Sequence, residues 1–270
     1  MHLKYHAWMS SIQSQHIQKQ LLKLGLTDKD TVFVHSSLNS MGWVDGGAQS
    51  VINAFLNVLG VNGTLVVPAF TGSHFPLPGR PSNLIFDPMN DPSEMGRITE
   101  VSRLNADSLR SHHLLHSVSA IGKHALGITK VHGPSAWAAD GPFGKLYELD
   151  AYVLMLGIDW TTCTYFHVVE QLVQVPYRYW QNVNGHILKT DGTTQSLPTH
   201  MFTPKLDAPK SDFNKFGAIL EGKHLVKKTT VGKAIYRLVK IKDIVREGIY
   251  EYRKDPYAFV KLPGVQEKNI

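Results

Sequence analysis

The sequence contains a single cysteine, Cys163, and no apolar run near the roughly 20 residues that cross a bilayer. One cysteine excludes an intramolecular disulfide and is typical of a protein in a reducing compartment. Residues 1–8 lack the apolar stretch of a secretory signal. These absences predict a cytoplasmic protein without a membrane span.

Acidic residues are also scarce, since 22 Asp and Glu stand against 28 Lys and Arg, for a formal net charge of +6. A basic chain favours anionic partners such as nucleic acid, a membrane surface or a phosphorylated cofactor. The sequence carries no helix-turn-helix or RNA-binding motif, so we expect no nucleic acid and no membrane as a partner. The glycine-rich segment 42–47 is not a P-loop, because no Gly-Lys-Ser/Thr follows it.

Apolar periodicity predicts an α/β fold. Residues 31–35 and 64–68 are predicted strands, and an amphipathic helix is predicted over about 48–59 between them. This strand–helix–strand order indicates a βαβ unit, and hence a central, mainly parallel sheet flanked by helices. Residues 151–157 are apolar throughout and predict a further strand near the centre of that sheet.

The rest of the chain is expected to complete the same domain. Residues 69–92 hold five prolines and no clear period, which indicates a long surface loop. From about residue 180 the pattern becomes more variable, and Asp191-Gly192 between two short strand-like segments indicates a β-hairpin. We therefore expect one domain over 1–270, with 180–270 as a more variable C-terminal part.

The first candidate site is His35-Ser36-Ser37, which follows the first predicted strand. Ligands of open α/β sheets gather outside the carboxyl ends of the strands. Hydroxyl and backbone N–H groups there suit a pyrophosphate or a thioester oxygen. Taken alone, a His-Ser-Ser segment in a turn is more often structural than functional.

The second candidate is the pair His167 and Glu170, near the start of a helix predicted after the central strand. Residues three apart share a helix face, and a carboxylate beside an imidazole orients it and raises its basicity. A general base of this kind suits an amine, which must lose a proton as it attacks a thioester. A surface ion pair and a metal site with further ligands remain alternatives.

Two other features allow different chemistry. His112, His113 and His116 lie within five residues and could ligate zinc in a metal hydrolase, or contact substrate or cofactor. Cys163 lies four residues before His167 and could be the nucleophile of a thiol acyltransferase, although a lone cysteine is commonly a small buried apolar residue.

These segments occur in a familiar order. The chain resembles the aminoglycoside 3-N-acetyltransferase family, also called the antibiotic N-acetyltransferase family, over about residues 14–180, with a looser match beyond. The resemblance rests on the segments 34–38, 42–47, 63–68, 86–88, 95–100, 109–113 with Ser117, 144–146, 153–157, 164–170 and 175–178.

The resemblance implies an antibiotic N-acetyltransferase-like fold, acetyl-CoA as donor, and direct attack by a primary amine in a ternary complex without a metal. It implies that His167 is the general base and that Glu170 supports it, with His35 as a further catalytic candidate. The implied CoA-binding residues are His35, Ser36, Ser37, Ser117 and Val118. The implied acceptor-binding residues are Glu100, His113 and Thr164.

Three positions depart from the usual family pattern. Leu114 replaces a proline, Gly141 replaces a serine, and Cys163 replaces an asparagine. The changes fall nearer the acceptor side than the donor side. We therefore expect a small-molecule acceptor, either the amine of an aminoglycoside or related amino sugar, as in antibiotic resistance, or another amine such as a nucleotide amino sugar or aminophosphonate. A non-catalytic CoA- or nucleotide-binding protein and a homodimer are also left open.

Overall fold

The computed structural model describes residues 11–72, 84–131 and 133–262. Its helices are α1 Ser14–Lys23, α2 Leu38–Met41, α3 Gly47–Leu59, α4 Arg97–Arg103, α5 Ala125–Thr129, α6 Pro142–Glu148, α7 Tyr165–Leu172, α8 Phe213–Gly222 and α9 Ile241–Lys254. Its strands are β1 Thr31–Ser36, β2 Thr64–Pro68, β3 Leu84–Phe86, β4 Leu109–Arg110, β5 Val118–Gly122, β6 Tyr152–Leu156, β7 Arg178–Val183, β8 Gly185–Leu188, β9 Thr194–Ser196, β10 Thr199–Pro204, β11 Lys210–Ser211, β12 Lys227–Val231, β13 Ala234–Lys240 and β14 Val260–Lys261.

The predicted βαβ unit is confirmed. β1 is buried along almost its whole length and is followed by α3, whose buried face includes Val51, Ile52 and Phe55. β2 then returns parallel to β1, with Thr31 opposite Thr64. The 3.6-residue period of α3 and the apolar runs on either side are sufficient to produce this unit.

The described residues form a main sheet of seven strands in the order β12-β13-β6-β1-β2-β5-β4. Only the pairings of β1 with β2 and with β6 are parallel; β2–β5, β4–β5, β6–β13 and β12–β13 are antiparallel. The α/β class is confirmed, but the sheet is mixed, which corrects the expectation of a mainly parallel sheet. β4 and β5, and likewise β12 and β13, follow each other directly along the chain and pair antiparallel at the two edges of the sheet.

Side chains alternate between the two faces of the central strands and build a core on each. On β1, Phe33 belongs to one apolar cluster, while Val32 and Val34 belong to the other. Buried residues of α1 and α3 cover the second cluster, and those of α7, α8 and α9 cover the first. The sheet is therefore sandwiched between two helical layers.

The C-terminal part contributes to both the surface and the core. The hairpin predicted around Asp191-Gly192 is confirmed as β8 and β9, paired antiparallel with His186 opposite Ser196. β12 and β13 join the main sheet beside β6, and Ile241 and Ile244 of α9 are fully buried.

The predicted loop over 69–92 is described only in part, because residues 73–83 lie outside the described ranges. After that gap, β3 pairs in parallel with β8. Helices within the described ranges do not combine the length and apolar character needed for a bilayer crossing.

Candidate active site

The site forms where β6 ends and α7 begins. After β6, Asp159 caps a single 3-10 turn at Trp160–Thr162 by accepting a hydrogen bond from the Thr161 N–H at 3.0 Å. Thr164 is the N-cap residue of α7, which places His167 in the first helical turn. Phe166 and Val169 face the core, so the His167 side chain points outward and is 25% exposed.

Glu170 lies beneath His167 and is completely buried. Its Oε2 atom is 2.6 Å from His167 Nδ1 and 3.0 Å from Arg178 Nε. The Tyr177 hydroxyl donates a hydrogen bond of 2.8 Å to Oε1. Burial acts to raise the pKa of Glu170, but His167, Arg178 and Tyr177 outweigh it and hold the pKa below its usual value. Glu170 is therefore an ionised carboxylate with a partner on each oxygen.

The ionised carboxylate determines which nitrogen of His167 carries the proton. A carboxylate can only accept, so Nδ1–H donates to Glu170 and Nε2 is left with its lone pair. Arg178 Nη2 lies 3.1 Å from the same Nδ1, a longer contact than the 2.6 Å to the carboxylate. Burial lowers the pKa of His167 despite the opposing effect of Glu170, and the Arg178 charge lowers it further. The imidazole is therefore neutral at neutral pH, as a general base requires.

Two aromatic side chains pack against the imidazole. The Trp137 indole stacks on it, with ring centroids 5.0 Å apart and an angle of 25° between the planes. Phe213 meets it at an angle of 63° with centroids 4.8 Å apart. The ring position is thus fixed by packing as well as by the bond to Glu170.

His167 opens into a cleft of about 420 Å³. The wall of the cleft includes His116, Trp137, Thr164, Arg178, Met201 and Phe202. It is mostly apolar, with His167 among the few groups able to take up a proton. The cleft leaves room for a small molecule beside the exposed edge of the His167 imidazole.

The structure brings two further predicted residues close to His167. His35 Nε2 accepts a hydrogen bond of 3.4 Å from the Thr164 backbone N–H, which joins the end of β1 to the start of α7. Burial lowers the pKa of His35 to about 3, with a smaller effect of the His167 charge. His35 is thus neutral and faces protein groups, while Thr164 lines the cleft.

Ser36 and Ser37 lie next to His35 at the end of β1. Ser37 caps α2, accepting a hydrogen bond of 3.4 Å from the Ser40 N–H. Ser36 is half-buried, and its hydroxyl makes no hydrogen bond to any described residue. Gly157, at the end of neighbouring β6, has a φ of +70°, and a Cβ there would overlap Ser40 Oγ. A glycine is therefore required for this close approach.

The other predicted binding residues do not line the cleft. Ser117 and Val118 are fully buried, and Ser117 Oγ donates a hydrogen bond of 2.7 Å to the Ala69 carbonyl. The Glu100 carboxylate accepts hydrogen bonds from Arg103 at 2.7 and 2.8 Å. Their binding roles stay predictions, since the contacts seen here hold the fold together.

His113 also lies behind the cleft wall. Its Nδ1 accepts hydrogen bonds from the N–H groups of Leu115 at 3.1 Å and His116 at 2.9 Å, which fixes the turn before β5. Burial lowers its pKa to about 4, against the effect of the Pro134 carbonyl. Its predicted contact with the acceptor stays a prediction.

The structure also bears on the metal and thiol alternatives. Within the described ranges, no group of three or more His, Cys, Asp or Glu side chains is arranged to hold a metal ion. Cys163 is buried, and burial raises the pKa of its thiol to about 12. Its thiol is therefore protonated and enclosed, which argues against a nucleophilic role.

Sequence reasoning gave no role to Trp137, Tyr177 or Arg178. Tyr177 and Arg178 belong to the segment 175–178 that resembles the family, which assigns neither of them a role. They follow Pro176, outside the helix that carries His167, so no helical spacing pairs them with Glu170. Trp137 lies in a loop about 30 residues earlier, where the sequence shows no period.

Comparisons with known proteins place the chain in one family. A sequence profile of the family described as aminoglycoside 3-N-acetyltransferase matches residues 33–251. The chain is 32% identical to the SPbeta prophage-derived aminoglycoside N(3')-acetyltransferase-like protein YokD of Bacillus subtilis (strain 168), over 86% of this chain and 89% of YokD. It is 28% identical to aminoglycoside N(3)-acetyltransferase IV of Salmonella sp, over 90% of this chain and 88% of that protein.

Solved structures show the same relationship. The apoenzyme of aminoglycoside acetyltransferase AAC(3)-IVa superposes with a TM-score of 0.78 at 27% identity, covering 97% of this chain and 96% of that chain. A histidine-to-alanine mutant of the same enzyme in complex with apramycin superposes with a TM-score of 0.75 at 26% identity, covering 96% and 98%. The chain therefore belongs to the aminoglycoside 3-N-acetyltransferase family, whose members are transferases that use acetyl-CoA as the acetyl donor.

Proposed function

We propose that the protein transfers the acetyl group of acetyl-CoA to a primary amine of an aminoglycoside or related amino sugar, with His167 as general base. The observation that carries the proposal is the orientation of His167. Glu170 holds Nδ1 at 2.6 Å, and Nε2 is left to accept a proton at the edge of a cleft.

Acetyl-CoA supplies the acetyl thioester in this reaction. His167 Nε2 accepts one proton from the amine as the amine nitrogen bonds to the acetyl carbon and the carbon–sulfur bond breaks. The same nitrogen can return that proton to the departing thiolate, so His167 ends the cycle neutral. Direct attack in a ternary complex needs no acyl-enzyme, in keeping with the protonated, buried thiol of Cys163.

The donor is expected to lie along the end of β1. Ser36 fits this assignment because it is half-buried and its hydroxyl is not used by any described residue. Ser37 uses its oxygen as an acceptor to cap α2, so its hydroxyl proton is left to donate to an oxygen of the cofactor. His35 supports this segment by its bond to Thr164.

One observation favours a second acceptor class. None of the described residues that line the cleft carries a carboxylate, and Arg178 is the permanent cation among them. An aminoglycoside bears several ammonium groups, which are attracted by carboxylates. A less cationic amine, such as a nucleotide amino sugar or an aminophosphonate, is therefore the second candidate.

A thiol-release assay tests these assignments. Purified protein with acetyl-CoA is offered aminoglycosides, nucleotide amino sugars and aminophosphonates, and CoA is measured as free thiol. His167→Ala should lower kcat by about a hundredfold or more, the usual scale for a general base. His16→Ala, an exposed histidine on α1, is the matched control and should leave kcat unchanged.

The outcomes separate the alternatives. A His167→Ala variant with wild-type turnover at saturating amine would remove His167 from the mechanism. Binding of CoA by calorimetry without thiol release from any amine would instead favour the non-catalytic CoA-binding protein.

A further inference from the structure

Trp137 lies in a stack of rings behind the base. Its indole packs between His116, with centroids 4.8 Å apart at 36°, and His167, with centroids 5.0 Å apart at 25°. Only 8% of Trp137 is exposed, and what is exposed lines the cleft. One face of the indole therefore packs against the His167 imidazole.

The loop that carries Trp137 is tied to the helix that carries His167. Ser135 Oγ donates a buried hydrogen bond of 2.8 Å to Gln171 Oε1, and Gln171 lies one turn after His167 on α7. Ala136 beside it is 3% exposed and belongs to the same core cluster as Trp137. The loop that carries Trp137 and the helix that carries His167 are therefore joined by a buried hydrogen bond as well as by the ring stack.

Packing alone gives an incomplete reason for a tryptophan here. The indole Nε1 is buried and makes no hydrogen bond to any described residue. A buried N–H without a partner destabilises a fold, and a phenylalanine or leucine would avoid that cost. The indole face must therefore contribute something that an aliphatic side chain of the core does not.

We propose that Trp137 is a positioning residue that fixes the plane of the His167 imidazole and stabilises its protonated form during acetyl transfer. A cation within about 6 Å of the centroid of a tryptophan ring is attracted to the face of that ring. The 5.0 Å stack meets this condition once His167 holds the proton of the amine. This inference rests on the proposed role of His167 as general base.

The charged and titratable groups around His167 stabilise its protonated form only in part. Glu170 on the same helix favours the imidazolium, while Arg178 from β7 opposes it. His116, before β5, and His35, at the end of β1, have pKa values lowered chiefly by burial, so they are neutral and supply no negative charge. The stacked face of Trp137 therefore adds to Glu170 in favouring the protonated ring.

Titration of His167 by NMR tests the proposal separately from activity. The chain has 14 histidines, so the His167 signal is assigned by its loss in His167→Gln. In Trp137→Leu the pKa of His167 should fall by about one unit, with kcat about tenfold lower at pH 7 and an unchanged KM for acetyl-CoA. Trp137→Phe and Trp137→Tyr, which keep a ring face, should recover most of both losses.

Trp160→Leu is the matched control. Trp160 stacks on Phe166, the residue before His167, with centroids 5.7 Å apart at 18°, and it contributes to the same core. Its loss should lower the melting temperature and leave the pKa of His167 unchanged. If Trp137→Leu does not fold, the test is the smaller fall in the pKa of His167 that we expect between wild type and Trp137→Phe.

An unchanged His167 pKa in folded Trp137→Leu, or in Trp137→Phe if the leucine variant does not fold, would overturn the proposal, whatever the turnover of that variant. A pKa shift equal to that of the Trp160→Leu control would overturn it as well. By contrast, an active His167→Ala enzyme would overturn the proposed function, even if the stack still shifted the pKa.

Discussion

Replacing Glu170 by glutamine keeps the shape of the side chain and removes its charge. Glutamine can still accept a hydrogen bond from Tyr177 on its oxygen. Its amide then faces His167 Nδ1, where the carboxylate oxygen now lies at 2.6 Å. The amide donates to Nδ1, so the imidazole proton moves to Nε2 and the nitrogen in the cleft can no longer accept one.

The expected loss of turnover follows from this change of tautomer. In catalytic triads, exchanging the carboxylate that orients a histidine for an amide lowers kcat by about 10⁴. We expect a loss of about 10³ to 10⁴ here. The acid limb of the pH–rate profile should also move to lower pH, because Glu170 acts to raise the pKa of His167 and its charge is lost in the variant.

The same substitution should destabilise the fold. Arg178, whose side chain is 7% exposed, loses the carboxylate that lies 3.0 Å from its Nε. Removing one partner of a buried ion pair costs about 3–5 kcal/mol, so the free energy of unfolding should fall by about that amount. Tyr177→Phe, which removes one hydrogen bond and keeps the charge, should cost only about 1–3 kcal/mol.

The measurements are thiol release over a pH series and denaturant unfolding of the folded variants. Glu148→Gln is the control, since Glu148 forms an exposed pair with Lys145 on α6 and should change neither quantity. A Glu170→Gln enzyme with turnover within threefold of wild type and an unchanged pH profile would refute the role assigned to this carboxylate.

Three further predictions concern stability and the thiol. Gly157→Ala should lower the free energy of unfolding by at least about 1–2 kcal/mol, because a Cβ meets Ser40 and φ is +70°; Gly127→Ala, where no atom lies within 4 Å, is the control. Acid should destabilise the protein below pH 6.5, because the unfolded chain then protonates His35 and His113, whereas the native chain, with pKa values of about 3 and 4, does not. Between pH 8 and pH 5 these two histidines should together lower the free energy of unfolding by about 4 kcal/mol. A free energy of unfolding that does not change with pH would contradict their neutral, buried state. Cys163→Ala should keep turnover within about threefold in the thiol-release assay, since the thiol is protonated and enclosed, whereas loss of activity in a folded variant would restore the nucleophile hypothesis.

The sequence by itself determined the elements that depend on neighbours along the chain. The βαβ unit from β1 to β2 and the hairpin around Asp191-Gly192 follow from helical period, apolar runs and turn residues. The pair of His167 and Glu170 was predictable for the same reason, because residues three apart in a helix share a face. The resemblance to the acetyltransferase family then predicted a reaction for this pair.

Tertiary structure alone decided the contacts between distant segments. Trp137, Tyr177 and Arg178 meet His167 and Glu170 only because loops before α6 and after α7 fold back over one cleft. The mixed sheet could not be predicted for the same reason. Whether a strand runs parallel or antiparallel to its neighbour depends on the path of the chain between the two strands, and not on the apolar pattern within either strand. Period and spacing describe one helix or strand at a time, whereas the pKa of a histidine such as His167 depends on burial and charge from several elements at once.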